Sequence, residues 1–116
     1  VIESVLSSES SSKENQEPIY ESSSTLKVYT FRNDELLNDH YKKHGVYMSY
    51  ASAKEYEKAA SNVVNSMNAL HKTEKEDGDE VYYMESTNEF VIISTDGYIR
   101  TFFNPDDGKA YFDRQW

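Results

Sequence analysis

The most regular pattern in the chain runs from Ser52 to about Asn68. Ala53, Tyr56, Ala60, Val63 and Met67 recur at intervals of three and four, and Leu70 continues the series. That spacing sets them on one face of an α-helix. Lys54, Glu57, Lys58, Ser61, Asn62 and Asn65 fall on the other face, so the pattern predicts an amphipathic helix of about four turns. Ser52-Ala53-Lys54-Glu55 is a capping box that marks its start. A shorter helix is predicted upstream, from an N-cap at Asn33 or Asp34 to about Lys43. Asp34 and Glu35 suit the positive end of its dipole, Leu36, Leu37 and Tyr41 share one side, and Gly45 is placed to end it.

Beyond the long helix the period changes. Lys72 to Asp79 is a charged run that ends near Gly78 and reads as a loop. Val81 to Met84 predicts a strand, turned at Ser86-Thr87-Asn88 into the apolar run Phe90-Val91-Ile92-Ile93. Asp96-Gly97 is a hairpin signal, because glycine accepts the positive φ such turns need. Tyr98, Ile99, Thr101, Phe102 and Phe103 favour the returning strand. Asn104 to Gly108 breaks the sheet, and Tyr111 and Phe112 are expected to pack back onto it. Leu26 to Phe31 is apolar enough for a short strand or a docked extended segment. The expected class is α+β, with two N-terminal helices packed on a three- to four-stranded antiparallel sheet.

Composition divides the chain. Residues 1–25 hold nine serines, five glutamates and one lysine, which cannot bury much apolar area, so 1–25 reads as a linker or tail and 26–116 as one domain. There is no cysteine, which excludes disulfides and thiolate metal sites. No apolar run approaches the ~20 residues that span a bilayer. The net charge of −9 repels polyanions at long range, so neither a DNA coat nor a membrane-surface role is expected. A site that acts on a phosphodiester must therefore gather its own positive charge.

Two stretches could gather it. His40-Tyr41-Lys42-Lys43-His44 places two imidazoles four residues apart, on one face of a helix. Three readings stand: a metal pair, which needs a third ligand such as a carboxylate or His71; a plain helix end, where cations suit the dipole; or acid–base catalysis. Metal-free RNA cleavage needs a base for the 2′-OH and an acid for the leaving 5′-oxygen, and imidazole can serve as either. Lys43 and Arg100 could stabilise the developing charge. Arg100 itself either lies on a solvated face or holds an anion with its planar fork. Thr101 could add a hydroxyl if the strand twists or ends there. His71 reads as solvated. There is no Gly-rich phosphate loop and no serine nucleophile motif.

Four motifs in order carry a resemblance: His40 to Gly45, Tyr56 with Ala59-Ala60, Thr87-Asn88-Glu89-Phe90, and Ser94 to Pro105. Over about Leu36 to Phe112 the chain resembles the C-terminal domains of bacterial polymorphic and contact-dependent toxins and of phage head-associated proteins. Those have the barnase-EndoU-colicin-RelE-like ribonuclease fold. The chain departs from their pattern at Asn104, where a lysine is frequent, and at Phe102, where a tyrosine is. The resemblance implies a metal-independent endoribonuclease without a cofactor. It would act on RNA, with tRNA first in line, and be neutralised by a cognate immunity protein. His40, His44, Arg100 and Thr101 would be catalytic; Lys42, Lys43, Thr87 and Tyr98 would bind substrate. Residues 1–25 would join a secreted or delivered effector to its delivery machinery, and the domain would act in the target-cell cytoplasm. The competing class is a non-enzymatic interaction module of a surface or phage assembly. The two differ in whether His40, His44, Arg100 and Thr101 converge in one cleft.

Overall fold

The computed structural model describes residues 27–115; the serine-rich segment 1–25, Leu26 and Trp116 lie outside them. Helix α1 (Asp34–His40) starts as its residues dictate, with the Asn33 side chain accepting the Leu36 N–H at 2.8 Å. It does not continue as an α-helix to Lys43. From Tyr41 to Gly45 the backbone widens into a π-helical turn. Gly45 is not a cap: it is buried inside that turn, and a Cβ there would lie 2.8 Å from Cδ1 of Tyr56 and would also strike the Tyr41 ring. Close approach of the Tyr41 and Tyr56 rings, not a positive φ, is what requires glycine at this position.

Helix α2 (Ala53–Asn65) opens on the expected cap, Ser52 Oγ accepting the Glu55 N–H at 3.2 Å. It stops at Asn65, short of the predicted end near Asn68. Ser66 turns extended, at ψ 133°, and its hydroxyl accepts the Asn68 N–H at 3.1 Å. Such local side-chain bonds compete with helix propagation. Met67 therefore does not pack; it is 99% exposed.

Strands β1 (Leu70–Thr73), β2 (Glu80–Met84), β3 (Glu89–Ile93) and β4 (Ile99–Phe103) form an antiparallel meander in chain order. β1 corrects the loop expected from Lys72: it pairs Leu70 with Tyr83 through to Thr73 with Glu80. As an edge strand it buries little, so its charges hid it. His71 lies in this strand and is not simply solvated. Its ring stacks on Tyr82 with centroids 4.4 Å apart, and it hydrogen-bonds the Glu80 carboxylate.

Alternate strand residues face opposite sides of the sheet. On one side Val91, Ile93, Ile99 and Phe102 pack against Leu37, Tyr56, Ala60 and Val63. On the other, Val81, Tyr83 and Phe90 meet Phe112 of the short helix α3 (Lys109–Asp113). The two departures from the family pattern are structural here. Phe102 is fully buried, and Asn104 donates to the Asn88 carbonyl at 2.6 Å. Ile92 pairs with Thr101 but Ile93 with Ile99, which leaves Arg100 in a bulge. A bulge re-aims one side chain out of the strand's alternation, and this is how an arginine sits within so apolar a strand.

The segment 27–31 is the docked alternative, not a strand of the sheet. It makes a single parallel bridge, Phe31 to Ile99, in which Ile99 N–H donates to Thr30 O at 2.8 Å. The rest of its backbone is held by α2. Phe31 N–H donates to Glu57 Oε2 at 2.9 Å, Tyr29 N–H to Ser61 Oγ at 3.0 Å, and Lys27 N–H to Asn65 Oδ1 at 3.4 Å. Glu57, Ser61 and Asn65 are one helical turn apart, on the face predicted to be solvated. Glu57 and Ser61 are instead only 8% and 6% exposed. A polar ladder takes the place of a neighbouring strand and satisfies backbone donors that would otherwise be buried alone.

Candidate active site

The Phe31–Ile99 bridge, α1, the 94–98 hairpin and the approach to β2 enclose a cleft of about 660 Å³. His40 and Arg100 both line it, as do Tyr98, Arg32, Asp79 and Asp96. His40 reaches it because α1 ends there. Arg100 reaches it because of the β4 bulge.

The His40 ring stacks on Phe31, with centroids 5.1 Å apart, and its Nδ1 is buried with no hydrogen-bond partner. Nε2 is then the nitrogen left to exchange a proton with the cleft. Burial, then the neighbouring His44 and Lys43, push the His40 pKa below the usual imidazole range, against a smaller opposing pull from Asp39. Burial and Lys43 lower His44 likewise. Both rings are therefore neutral near pH 7, the form that can accept a proton. His44 stands beside His40, centroids 6.0 Å apart, but turns its ring against Phe103 at 5.4 Å and does not line the cleft.

These shifts carry a sign. The folded state binds fewer protons than the unfolded one wherever pH lies between the lowered folded values and the unfolded value of about 6.5. The stabilisation is complete above about pH 6.5 and is lost as pH falls through that window. Urea unfolding at pH 7 and 5.5 should show stability falling with acid in the parent and falling less in a His40→Gln/His44→Gln double variant. Equal losses in the two proteins would remove these rings as the source.

Arg100 Nη1 donates to Asp79 Oδ2 at 2.6 Å; the arginine side chain is 55% exposed and the aspartate side chain 6%. A buried carboxylate thus anchors an arginine that still fronts solvent, with one of its five donors committed. Of the other sequence-derived candidates only Tyr98 shares the cleft. Tyr98 lines the cleft, under the Arg32 guanidinium at 4.5 Å. Thr101 is half-buried opposite Ile92, outside the cleft. Lys42 and Lys43 are exposed on the π-helical turn and do not line it. Thr87 bonds Glu89 at 2.7 Å in a separate groove beside Tyr50.

Sequence reasoning missed Arg32, Asp79 and Asp96. Scarcity was an available signal for Arg32: the chain has three arginines, and two of them are in this cleft. Asp79 was hidden in the presumed loop. The carboxylates of Glu74, Asp77 and Asp79 lie within 4.8 Å of one another and, among the described residues, form the group that could hold a cation. Burial and the nearby Asp77 raise the Glu74 pKa. Neither His40 nor His44 belongs to that group.

No family model matches the chain, and no curated protein does. Among solved structures it is similar to a ribonuclease from Escherichia coli complexed with its inhibitor protein, at a TM-score of 0.52 and 20% identity, over 66% of this chain and 95% of that one. At that identity the likeness is one of fold alone.

Proposed function

We propose that this chain is a toxin-type endoribonuclease that cuts RNA, tRNA foremost, with its own side chains. One observation carries the reading: His40 and Arg100, drawn from motifs far apart in sequence, line the same cleft. In the proposed reaction neutral His40 takes the 2′-OH proton. The 2′-oxygen then forms a bond to phosphorus, and the bond from phosphorus to the 5′-oxygen breaks. The products are a 2′,3′-cyclic phosphate and a 5′-hydroxyl, whose proton comes from a general acid. His44, the adjacent imidazole, is the candidate for that second role: it would act through its protonated minority, because its lowered pKa leaves it mostly neutral at pH 7, and it would have to turn from Phe103 into the cleft. Arg100 donates to the phosphoryl oxygens as charge builds. Tyr98 lines the path of the RNA. An immunity protein that covers the cleft, and delivery as a secreted effector into a target-cell cytoplasm, belong to the same proposal. The ribonuclease of similar fold was solved with its inhibitor, which supports the partner.

The test is purified protein with total tRNA in the presence of EDTA, read on a denaturing gel. Cleavage is expected to persist. Arg100→Ala should lower the rate about 10²–10³, the scale of one lost transition-state donor. It also strands the buried Asp79, so Arg100→Lys is the needed companion. It keeps a cation beside Asp79 but loses the planar fork, and should remain folded while cutting more slowly. Cleavage lost in EDTA and restored by magnesium would move the chemistry to Glu74, Asp77 and Asp79. The competing reading, a non-enzymatic interaction module, is favoured by one observation: each cleft arginine already holds an aspartate, Arg100 with Asp79 and Arg32 with Asp96. Intact tRNA after exposure to folded parent protein would decide for it.

A further inference from the structure

Arg32 is bound in a manner unlike Arg100. Its Nη2 donates to both oxygens of Asp96, at 2.7 and 2.9 Å. Both side chains are about half exposed, 50% and 52%, whereas the partner of Arg100 is buried. Asp96 stands at the tip of the 94–98 hairpin. Beside it Gly97 has φ +92° and, its two chain neighbours aside, no atom within 4 Å of where a Cβ would be, so the tip is open on that side. The Tyr98 ring lies under the guanidinium at 4.5 Å. Carboxylate and phosphate present similar oxygen pairs to a guanidinium.

We propose that Arg32 is a second phosphate-binding residue of the cleft, and that Asp96 occupies, in the free protein, the place of a phosphate adjacent to the one held by Arg100. The inference rests on the ribonuclease reading and extends it: the ligand is an RNA strand that engages two phosphates. Exchange matters in a chain of net charge −9. If the phosphate replaces the Asp96 carboxylate at Arg32, the site gains an anion without stacking it on another. Asp79 cannot be exchanged in this way, because it is enclosed. Asp96 is half exposed, and besides Arg32 the Ser94 hydroxyl holds its carboxylate, at 2.5 Å, so turning it to solvent costs that further bond.

The experiment measures binding of a 2′-O-methyl RNA hexanucleotide, which cannot be cut, by fluorescence anisotropy over a series of salt concentrations. Parent protein, Arg32→Ala, Arg32→Lys and Asp96→Asn are compared, with thermal unfolding as the check on folding. Arg32→Ala should weaken binding and reduce the slope of log affinity against log salt by about 0.7–1, the value for one phosphate contact. Arg32→Lys should keep the slope and lose affinity. Asp96→Asn frees the fork and should bind up to about fivefold tighter, the range of an exposed ion pair. A merely structural staple predicts the opposite for Asp96→Asn: lower stability and no tighter binding. An unchanged slope in Arg32→Ala, or Asp96→Asn binding no more tightly than the parent, overturns the inference. Should the parent cut tRNA while that happens, the ribonuclease reading survives alone. A parent that neither cuts tRNA nor binds the hexanucleotide overturns both.

Discussion

Replacing His40 with alanine is expected to lower tRNA cleavage by about 10²–10⁴, the range for loss of a positioned proton-transfer group. The expectation follows from the ring's place. It fronts the cleft, it is stacked on Phe31, and its Nδ1 is closed off, so proton exchange runs through one nitrogen. Burial holds the ring neutral, which suits a base at pH 7. Stability should change little by comparison, since truncation also removes a buried nitrogen that has no partner. Single-turnover rates on tRNA, with urea unfolding in parallel, make the comparison. His44→Ala belongs in the same series: a loss of similar size assigns it the acid role, and a silent variant leaves His40 as the single imidazole in the reaction. A folded His40→Ala protein that cuts within about twofold of the parent would end the assignment of His40.

Phe102→Ala should cost about 3–5 kcal/mol, the usual range for an aromatic removed from a core. Phe102 is fully buried, its ring centroid 5.0 Å from Tyr56 and 6.0 Å from Tyr50, and its carbonyl accepts the Tyr56 hydroxyl. It joins β4 to α2 at the centre of the larger core. A one-domain protein typically has only about 5–15 kcal/mol of stability, so the variant should be near its unfolding limit at 37 °C. Urea unfolding measures it. A cost below about 1 kcal/mol would mean that the two layers do not depend on this contact.

The parts of the fold that could be read from sequence are those where one signal acts without competition. The capping box at Ser52, the three-four spacing through Val63 and the Asp96-Gly97 turn each specify local backbone directly. The parts that escaped depend on what lies opposite in space. β1 is an edge strand whose His71 meets Tyr82 and Glu80 across the ladder and whose Lys72 donates to the Asp113 and Gln115 carbonyls, and no periodicity in Leu70 to Thr73 reveals that. Glu57 and Ser61 look like solvent positions until an extended segment is laid over them. The cleft was half legible. The chemistry of His40 and Arg100 suggested a shared site, but the bulge that aims Arg100 is a matter of register, and Arg32 and Asp96 are 64 residues apart. The position of Thr101 depends on the same register: the shift that turns Arg100 toward the cleft leaves its neighbour opposite Ile92.

The polar ladder also has a mechanical meaning. The segment 27–31 runs antiparallel to α2, so Lys27 meets Asn65 near the far end of the helix and Phe31 meets Glu57 near its start. Traction on Lys27 away from α2 loads these bonds one after another, as in peeling, rather than all together, as in shear. The last to be loaded is Phe31, which is also the residue stacked on His40. Force entering through the chain ahead of Lys27 would thus arrive at the His40 ring while the four-stranded sheet was still paired.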